Sequence, residues 1–353
     1  MATTSNVLRI DLTLDENKLE EGALKLFETV KPGWNQKDIK FKVFTDGISN
    51  KLIGGYLPED KNTMALVRVY GKKTELLIDR EAEIKTFVLL HKAGCGPQLY
   101  AACNNGLCYE YLPGIILDTK MVREERIFRL VVKEMVKMHS IKPQEGAVPP
   151  PCLFKTMERY LSILPEKFED AKKQERYVRG IVPQSQLHEE VSQLKSALLC
   201  LETPVVFCHN DALLGNIVFN ETEGTLKFID YEYASFNYQA FDIANHFAEF
   251  AGVEVVDYSL YPDKDLQLKW LRAFLGAWRE AQNIPDEVTE RDLEVLYVKV
   301  NKFVLAAHLF WGIWGLIQSH NSTIDFDFLD YAKLRFDEYF TRKDGFLALQ
   351  LPE

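Results

Sequence analysis

The residues best placed to do chemistry lie between Val206 and Asp230, in the run VFCHNDALLGNIVFNETEGTLKFID. Asp211 follows a short apolar stretch and His209. Asn216 comes five residues after Asp211, and Asp230 ends a further apolar stretch. Phosphoryl transfer calls for such a set. One carboxylate accepts a hydrogen bond from the attacking hydroxyl; an amide and a second carboxylate offer hard oxygen atoms to magnesium. Asp211 is the candidate base or orienter, and His209 could brace its loop. Asn216 and Asp230 are the candidate magnesium ligands, with Tyr231, Glu232 and Tyr233 adding acceptors and rings at the same strand end. A His-x-Asp alone reads as an ordinary polar loop, and an Asp after a strand as a turn residue. The combination points to a small-molecule kinase.

The elements that must hold these groups follow from periodicity. Residues 41–44 and 51–56 are apolar, β-prone runs around the polar loop Thr45-Asp46-Gly47-Ile48-Ser49-Asn50, and residues 64–70 form a third strand. Residues 79–93 have helical spacing, with Ile84, Phe87, Val88 and His91 on one side, and stop at Gly94 and Gly96-Pro97. Residues 99–102 and 107–112 form a second hairpin across Asn104-Asn105-Gly106, and Pro113-Gly114 closes this part. Beyond it the pattern is mostly helical: residues 123–141, further helices after Pro149-Pro150-Pro151, then 239–251, 263–281, 287–318 and 327–342. The only clear strands there are 205–208, 217–219 and 226–229, which bracket the chemical motif. The expected fold is α+β and bilobal. Residues 1–112 form a small sheet-plus-helix lobe, and residues 113–353 a larger, mainly helical one.

Bulk properties narrow the alternatives. The chain is 47% hydrophobic and 27% charged, as in ordinary globular proteins. Its formal net charge of −10 offers no basic stripe for a nucleic acid. The start of the chain lacks a signal-peptide pattern, and the apolar run at 303–317 is short and carries a His, so it reads as a buried core helix rather than a membrane insertion. The six cysteines are scattered; Cys103 and Cys108 flank a turn rather than form a zinc knuckle. A reduced, cytoplasmic protein is expected.

His209-Asn210-Asp211 followed by Asn216 resembles the catalytic motif of the choline and ethanolamine kinases, and more distantly that of aminoglycoside phosphotransferases and protein kinases. Asp230-Tyr231-Glu232-Tyr233, Asn237-Tyr238 and the run from Phe241 to Glu249 are similar to the second signature of the same kinases. The likeness runs from about Gly47 to the C-terminus. Asn50-Lys51-Leu52-Ile53-Gly54, the run from Leu66 to Leu77, Asn104–Glu110, Glu249–Val253 and Asp257–Pro262 favour the ethanolamine branch. One segment departs from it. Ala212-Leu213-Leu214-Gly215 has an ethanolamine-kinase-like Leu213 but a choline-kinase-like Gly215, where ethanolamine kinases typically read Leu-Leu-Cys-Lys.

That resemblance implies ATP and Mg2+ as cofactors and assigns further residues. Backbone N–H groups of Gly47 to Asn50 and the Ser49 hydroxyl would cover the ATP phosphates. Arg68 would stand where protein kinases place their phosphate-binding Lys, with Glu83 as its ionic partner. Glu110 to Leu112 would form the adenine hinge, and Asp242 would be the buried acid that holds the catalytic loop. For the acceptor, Glu249 matches a pocket acid. Trp311 and Trp314, three apart and so on one helix face, would join Tyr233, Phe326 and Tyr331 in an aromatic box around the amine. By spacing alone such a stripe reads as plain core. The activity implied is ATP:ethanolamine phosphotransfer, the first step of the CDP-ethanolamine route to phosphatidylethanolamine. The alternatives are a choline kinase and a silent kinase-like binding protein. Retention of Asp211, Asn216, Asp230 and Arg68 together argues against the silent form.

Overall fold

The computed structural model describes residues 7–44, 51–71, 74, 77–143, 146–253, 255–322 and 324–353. The Gly47, Ser49 and Asn50 positions of the expected phosphate loop lie outside them. In chain order the first elements are β1 (Leu8–Arg9), α1 (Leu19–Val30), β2 (Lys40–Phe44), β3 (Lys51–Leu57), β4 (Asp60–Val69), α2 (Arg80–Lys92), β5 (Leu99–Cys103), β6 (Gly106–Glu110) and β7 (Ile115–Ile116). Then come α3 (Glu125–His139), α4 (Leu153–Leu161), α5 (Ala171–Gly180), α6 (Gln184–Leu199), β8 (Val205–Cys208), β9 (Ile217–Asn220), β10 (Thr225–Phe228) and β11 (Ser235–Tyr238). Four helices end the chain: α7 (Gln239–Ala248), α8 (Lys264–Ala281), α9 (Glu290–Asn321) and α10 (Phe328–Leu347).

Packing divides the chain into two compact units. The first holds residues 1–115, 218–232 and 322–326; the second holds 116–217, 233–321 and 327–353. Residues 218–232 and 322–326, which carry Asp230 and Phe326, therefore pack with the N-terminal part of the chain rather than with the helical part.

The first unit is built on a six-stranded sheet in the order β1-β5-β6-β4-β3-β2. All neighbours are antiparallel except β1, which pairs parallel to β5 through Leu8↔Ala101. Helix α1 buries Ala23, Leu26 and Phe27. The Phe27 ring lies so close to β3 that a Cβ on Gly55 would sit 2.2 Å from it, so only glycine fits there. Helix α2 starts at Asp79, whose carboxylate accepts from the N–H groups of Glu81 and Ala82. Its buried face is Glu83, Ile84, Thr86, Phe87 and Leu90. The expected face included His91, which is exposed: the stripe is rotated so that Leu90 takes the inner position and Glu83 is drawn in with it.

In the second unit β8 pairs antiparallel with β11, an edge the sequence did not reveal because Ser235–Tyr238 is short and half polar. The unit's core is α9, with α7 and α10 packed along it. Residues 303–319 of α9 are buried throughout. By length and composition α9 could cross a membrane, yet 94% of its most apolar window is buried inside the protein, as in a core helix. Gly312 and Gly315 let α10 approach: a Cβ at Gly312 would meet the Phe336 ring at 2.5 Å, and one at Gly315 the Tyr331 ring at 3.0 Å.

Candidate active site

In the second unit, β8 and β11 deliver the loop that carries Asp211. Asp242, fully buried on α7, fixes this loop. It accepts from the backbone N–H groups of His209 (3.0 Å) and Asn210 (2.7 Å), and its Oδ2 lies 2.8 Å from His139 Nε2. Burial alone would raise its pKa, but the His139 contact and these N–H donors hold it below the ordinary carboxylate value. Asn210 is left-handed (φ 66°), a conformation Asn tolerates. Its side chain is locked on both sides, donating to the Tyr233 carbonyl (2.9 Å) and accepting from Asn237 Nδ2 (2.8 Å). The next peptide is held too: His246 Nδ1 lies 2.9 Å from the Ala212 carbonyl, which can only accept.

Asp211 is thereby presented on an immobilised backbone, with 8% of its surface exposed. Its N–H lies 3.3 Å from His209 Nδ1, so His209 braces the loop. Asn216, at the end of the short 3-10 turn Leu214–Asn216, donates Nδ2 to both the carbonyl and the Oδ2 of Asp211, each at 3.0 Å. Its Oδ1 is thus turned away from Asp211, the orientation an oxygen ligand for a hard cation requires.

The first unit holds a separate charged cluster. Arg68 on β4 is buried and ion-paired to Glu83 of α2 and, at 2.8 Å, to Asp230 Oδ1. Arg80 reaches Glu83 (2.9 Å) and Glu232 (3.3 Å). Arg80 was not singled out in the sequence, and Glu232 was read there only as an added acceptor beside Asp230. Burial would lower the Arg68 pKa, but the Asp230 charge reverses that and raises it, so Arg68 stays charged. Asp230, at φ 59°, is itself in the left-handed region, which turns its carboxylate off the end of β10. With one oxygen on Arg68, its other oxygen suits a magnesium ion. At the end of β6 the N–H of Glu110 is taken by the Gln98 carbonyl and that of Tyr111 by Met64. Leu112 is the position in this segment whose N–H has no backbone partner among the described residues.

The second unit also assembles rings at α9. Tyr233 and Trp311 meet edge-on at 5.3 Å, Trp311 and Trp314 at 5.4 Å, and Trp314 and Tyr331 at 6.2 Å. The indole N–H groups are committed, Trp311 to Asn245 (2.7 Å) and Trp314 to the Tyr233 hydroxyl (2.8 Å). Phe328, absent from the expected set, joins Trp314 at 5.6 Å, while Phe326 packs with the first unit. Glu249, just after α7, is buried and ion-paired to Arg335 of α10. Arg335 was missed, and Asn245 was read only as part of the Phe241–Glu249 signature, since each is reached only through a partner remote in sequence.

The chain matches the Choline/ethanolamine kinase family over residues 41–340. It is 48% identical to human ethanolamine kinase 1 over 339 residues, spanning 96% of this chain and 75% of that one. A probable ethanolamine kinase of Nematostella vectensis is 44% identical over 346 residues, 98% of this chain and 99% of its own. Among solved structures, an ethanolamine kinase of Plasmodium vivax superposes with a TM-score of 0.81 at 25% identity, covering 93% of this chain and 89% of that one. The chain thus belongs to the choline/ethanolamine kinase family and has its protein-kinase-like fold.

Proposed function

We propose that this protein is an ATP- and magnesium-dependent ethanolamine kinase. It transfers the γ-phosphoryl group to the ethanolamine hydroxyl and gives phosphoethanolamine, the first step of the CDP-ethanolamine route to phosphatidylethanolamine. The observation that carries the chemistry is Asp211, anchored by Asn216 on a loop that Asp242 holds through two N–H bonds. The choice of acceptor rests on relatives named as ethanolamine kinases over nearly the whole chain.

Asp211 accepts the hydrogen bond of the attacking hydroxyl and orients its oxygen toward phosphorus. Asn216 Oδ1 and Asp230 would hold magnesium, which when bound neutralises charge on the phosphate oxygens. Arg68, ion-paired to Glu83 and kept cationic by Asp230, would face the phosphates, and the family resemblance assigns Gly47, Ser49 and Asn50 to the same role. Glu110 to Leu112 hold adenine, the Leu112 N–H being the available donor. Tyr233, Trp311, Trp314 and Tyr331, all in the second unit, surround the ammonium group, and Glu249 supplies the opposite charge.

The test is parallel initial rates with ethanolamine and choline at matched concentrations, following product formation. Ethanolamine should be clearly preferred. Asp211→Asn should lower kcat by about 10²–10⁴-fold, the usual worth of a positioned base. Preference for choline would overturn the acceptor, and full activity of D211N would overturn the role of Asp211.

A further inference from the structure

Glu249 and Arg335 form an ion pair in which each residue is only 2% exposed. Arg335 Nη2 donates to Glu249 Oε1, while Glu249 Oε2, also buried, has no hydrogen-bond partner among the described residues. A buried carboxylate oxygen without a donor is costly to keep and marks a place where a ligand donor fits. The guanidinium also lies over the Tyr331 ring, 5.0 Å from its centroid. Tyr331 and Arg335 are one turn apart on α10 and share a face. One cation thus touches both the acid and a ring of the expected amine box. An apolar pair of similar volume would serve stability as well or better, so stability alone does not account for two charges here.

We infer that Arg335 is a positioning residue for the amine end of the acceptor: it clamps Glu249 by Oε1 so that Oε2 is held out to accept an N–H from a primary ammonium. This rests on the ethanolamine kinase reading above. Arg335 does not touch the acceptor. It acts through Glu249 and, by its contact with the ring, through Tyr331. The loss it prevents is therefore one of acceptor binding, not of nucleotide binding.

The experiment compares KM for ethanolamine and KM for ATP in the parent, Arg335→Gln, Arg335→Lys, Glu249→Gln and the Arg335→Gln/Glu249→Gln pair. A parent that does not phosphorylate ethanolamine defeats the ethanolamine reading itself, and the inference with it. With an active parent, Arg335→Gln should raise KM for ethanolamine at least tenfold while KM for ATP stays within twofold. Arg335→Lys, which keeps the charge but not the fork, should recover part of that loss. On the Glu249→Gln background the Arg335→Gln change should add less than twofold. Should Arg335→Gln not fold, Arg335→Lys decides: an ethanolamine KM raised at least threefold with ATP unmoved supports the role. An unchanged ethanolamine KM, parallel rises for both substrates, or additive effects with Glu249→Gln would each overturn it.

Discussion

His246 offers a quantitative test of how the catalytic loop is held. Its ring lies fully buried on α7, with Phe250 at 5.3 Å and Trp270 at 6.0 Å between ring centroids. Nδ1 donates to the Ala212 carbonyl, so the neutral ring presents a bare Nε2, and no donor reaches that atom among the described residues. Protonation would put a charge and a second N–H into this apolar pocket. Burial therefore pushes the pKa down from 6.5 to about 4, against the opposing pull of the Ala212 bond and the Asp242 charge. Because the folded pKa is depressed, the unfolded chain binds more protons between these values. The neutral ring's contribution is fully present above pH 6.5 and is lost as pH falls toward 4. With those two values, the linkage relation gives a loss of about 2 kcal/mol at pH 5 and about 3 kcal/mol well below pH 4. His246→Asn places an amide N–H near the position of Nδ1 but cannot titrate. Urea unfolding of parent and H246N at pH 7.5, 6 and 5 isolates the effect, since every other titrating group is common to both. The stability gap should move by about 2 kcal/mol in favour of the variant between pH 7.5 and 5. Parallel curves would refute the buried neutral ring and the bond to Ala212 with it.

Two further outcomes follow from the packing. Asp242→Asn retains an acceptor but turns an NH2 group toward the N–H donors of His209 or Asn210, and it leaves His139 without its carboxylate. It should cost about 3–5 kcal/mol in unfolding experiments and reduce kcat at least tenfold with little change in KM for ATP; a stable variant with parental kcat would contradict the brace. Gly312→Ala brings a methyl against the Phe336 ring at 2.5 Å, and thermal or urea unfolding should show a loss of about 1–3 kcal/mol.

Local groupings in this protein were readable before its fold. The spacing from Asp211 to Asn216 is short enough that one turn joins them, and the structure shows the amide on the carboxylate. The Arg68–Glu83 pair was implied by the family resemblance, whereas strand alternation around Arg68 suited a solvated residue equally well; the pair is buried. What stayed hidden are contacts between residues far apart in the chain. His139 and Asp242 are separated by 103 positions and Glu249 and Arg335 by 86, and no period or motif length encodes such pairs. Strand β1 and its parallel pairing with β5 were invisible for the same reason: two residues carry no period, and the register is set by a strand some ninety positions on. Helix faces were legible only to within one position, as His91 and Leu90 show.

The interior of the motif, Ala212 to Gly215, mixes features of two acceptor classes, and its place in the structure bears on what it can decide. Ala212 and Leu214 are buried, and the Ala212 carbonyl is occupied by His246. The Asn216 N–H is spent on the Leu213 carbonyl. These residues are engaged in holding Asp211 and Asn216 at a fixed separation, and none of them offers a charge. A primary ammonium differs from a quaternary one in having N–H groups to donate, so discrimination needs an acceptor that is otherwise unsatisfied. Among the described residues of the second unit, the buried carboxylate oxygen meeting that condition is Glu249 Oε2, and the indole N–H groups of Trp311 and Trp314 are already committed. Acceptor choice on this physical ground belongs to the seam of α7, α9 and α10, and the loop's part is to keep the hydroxyl end in register with it.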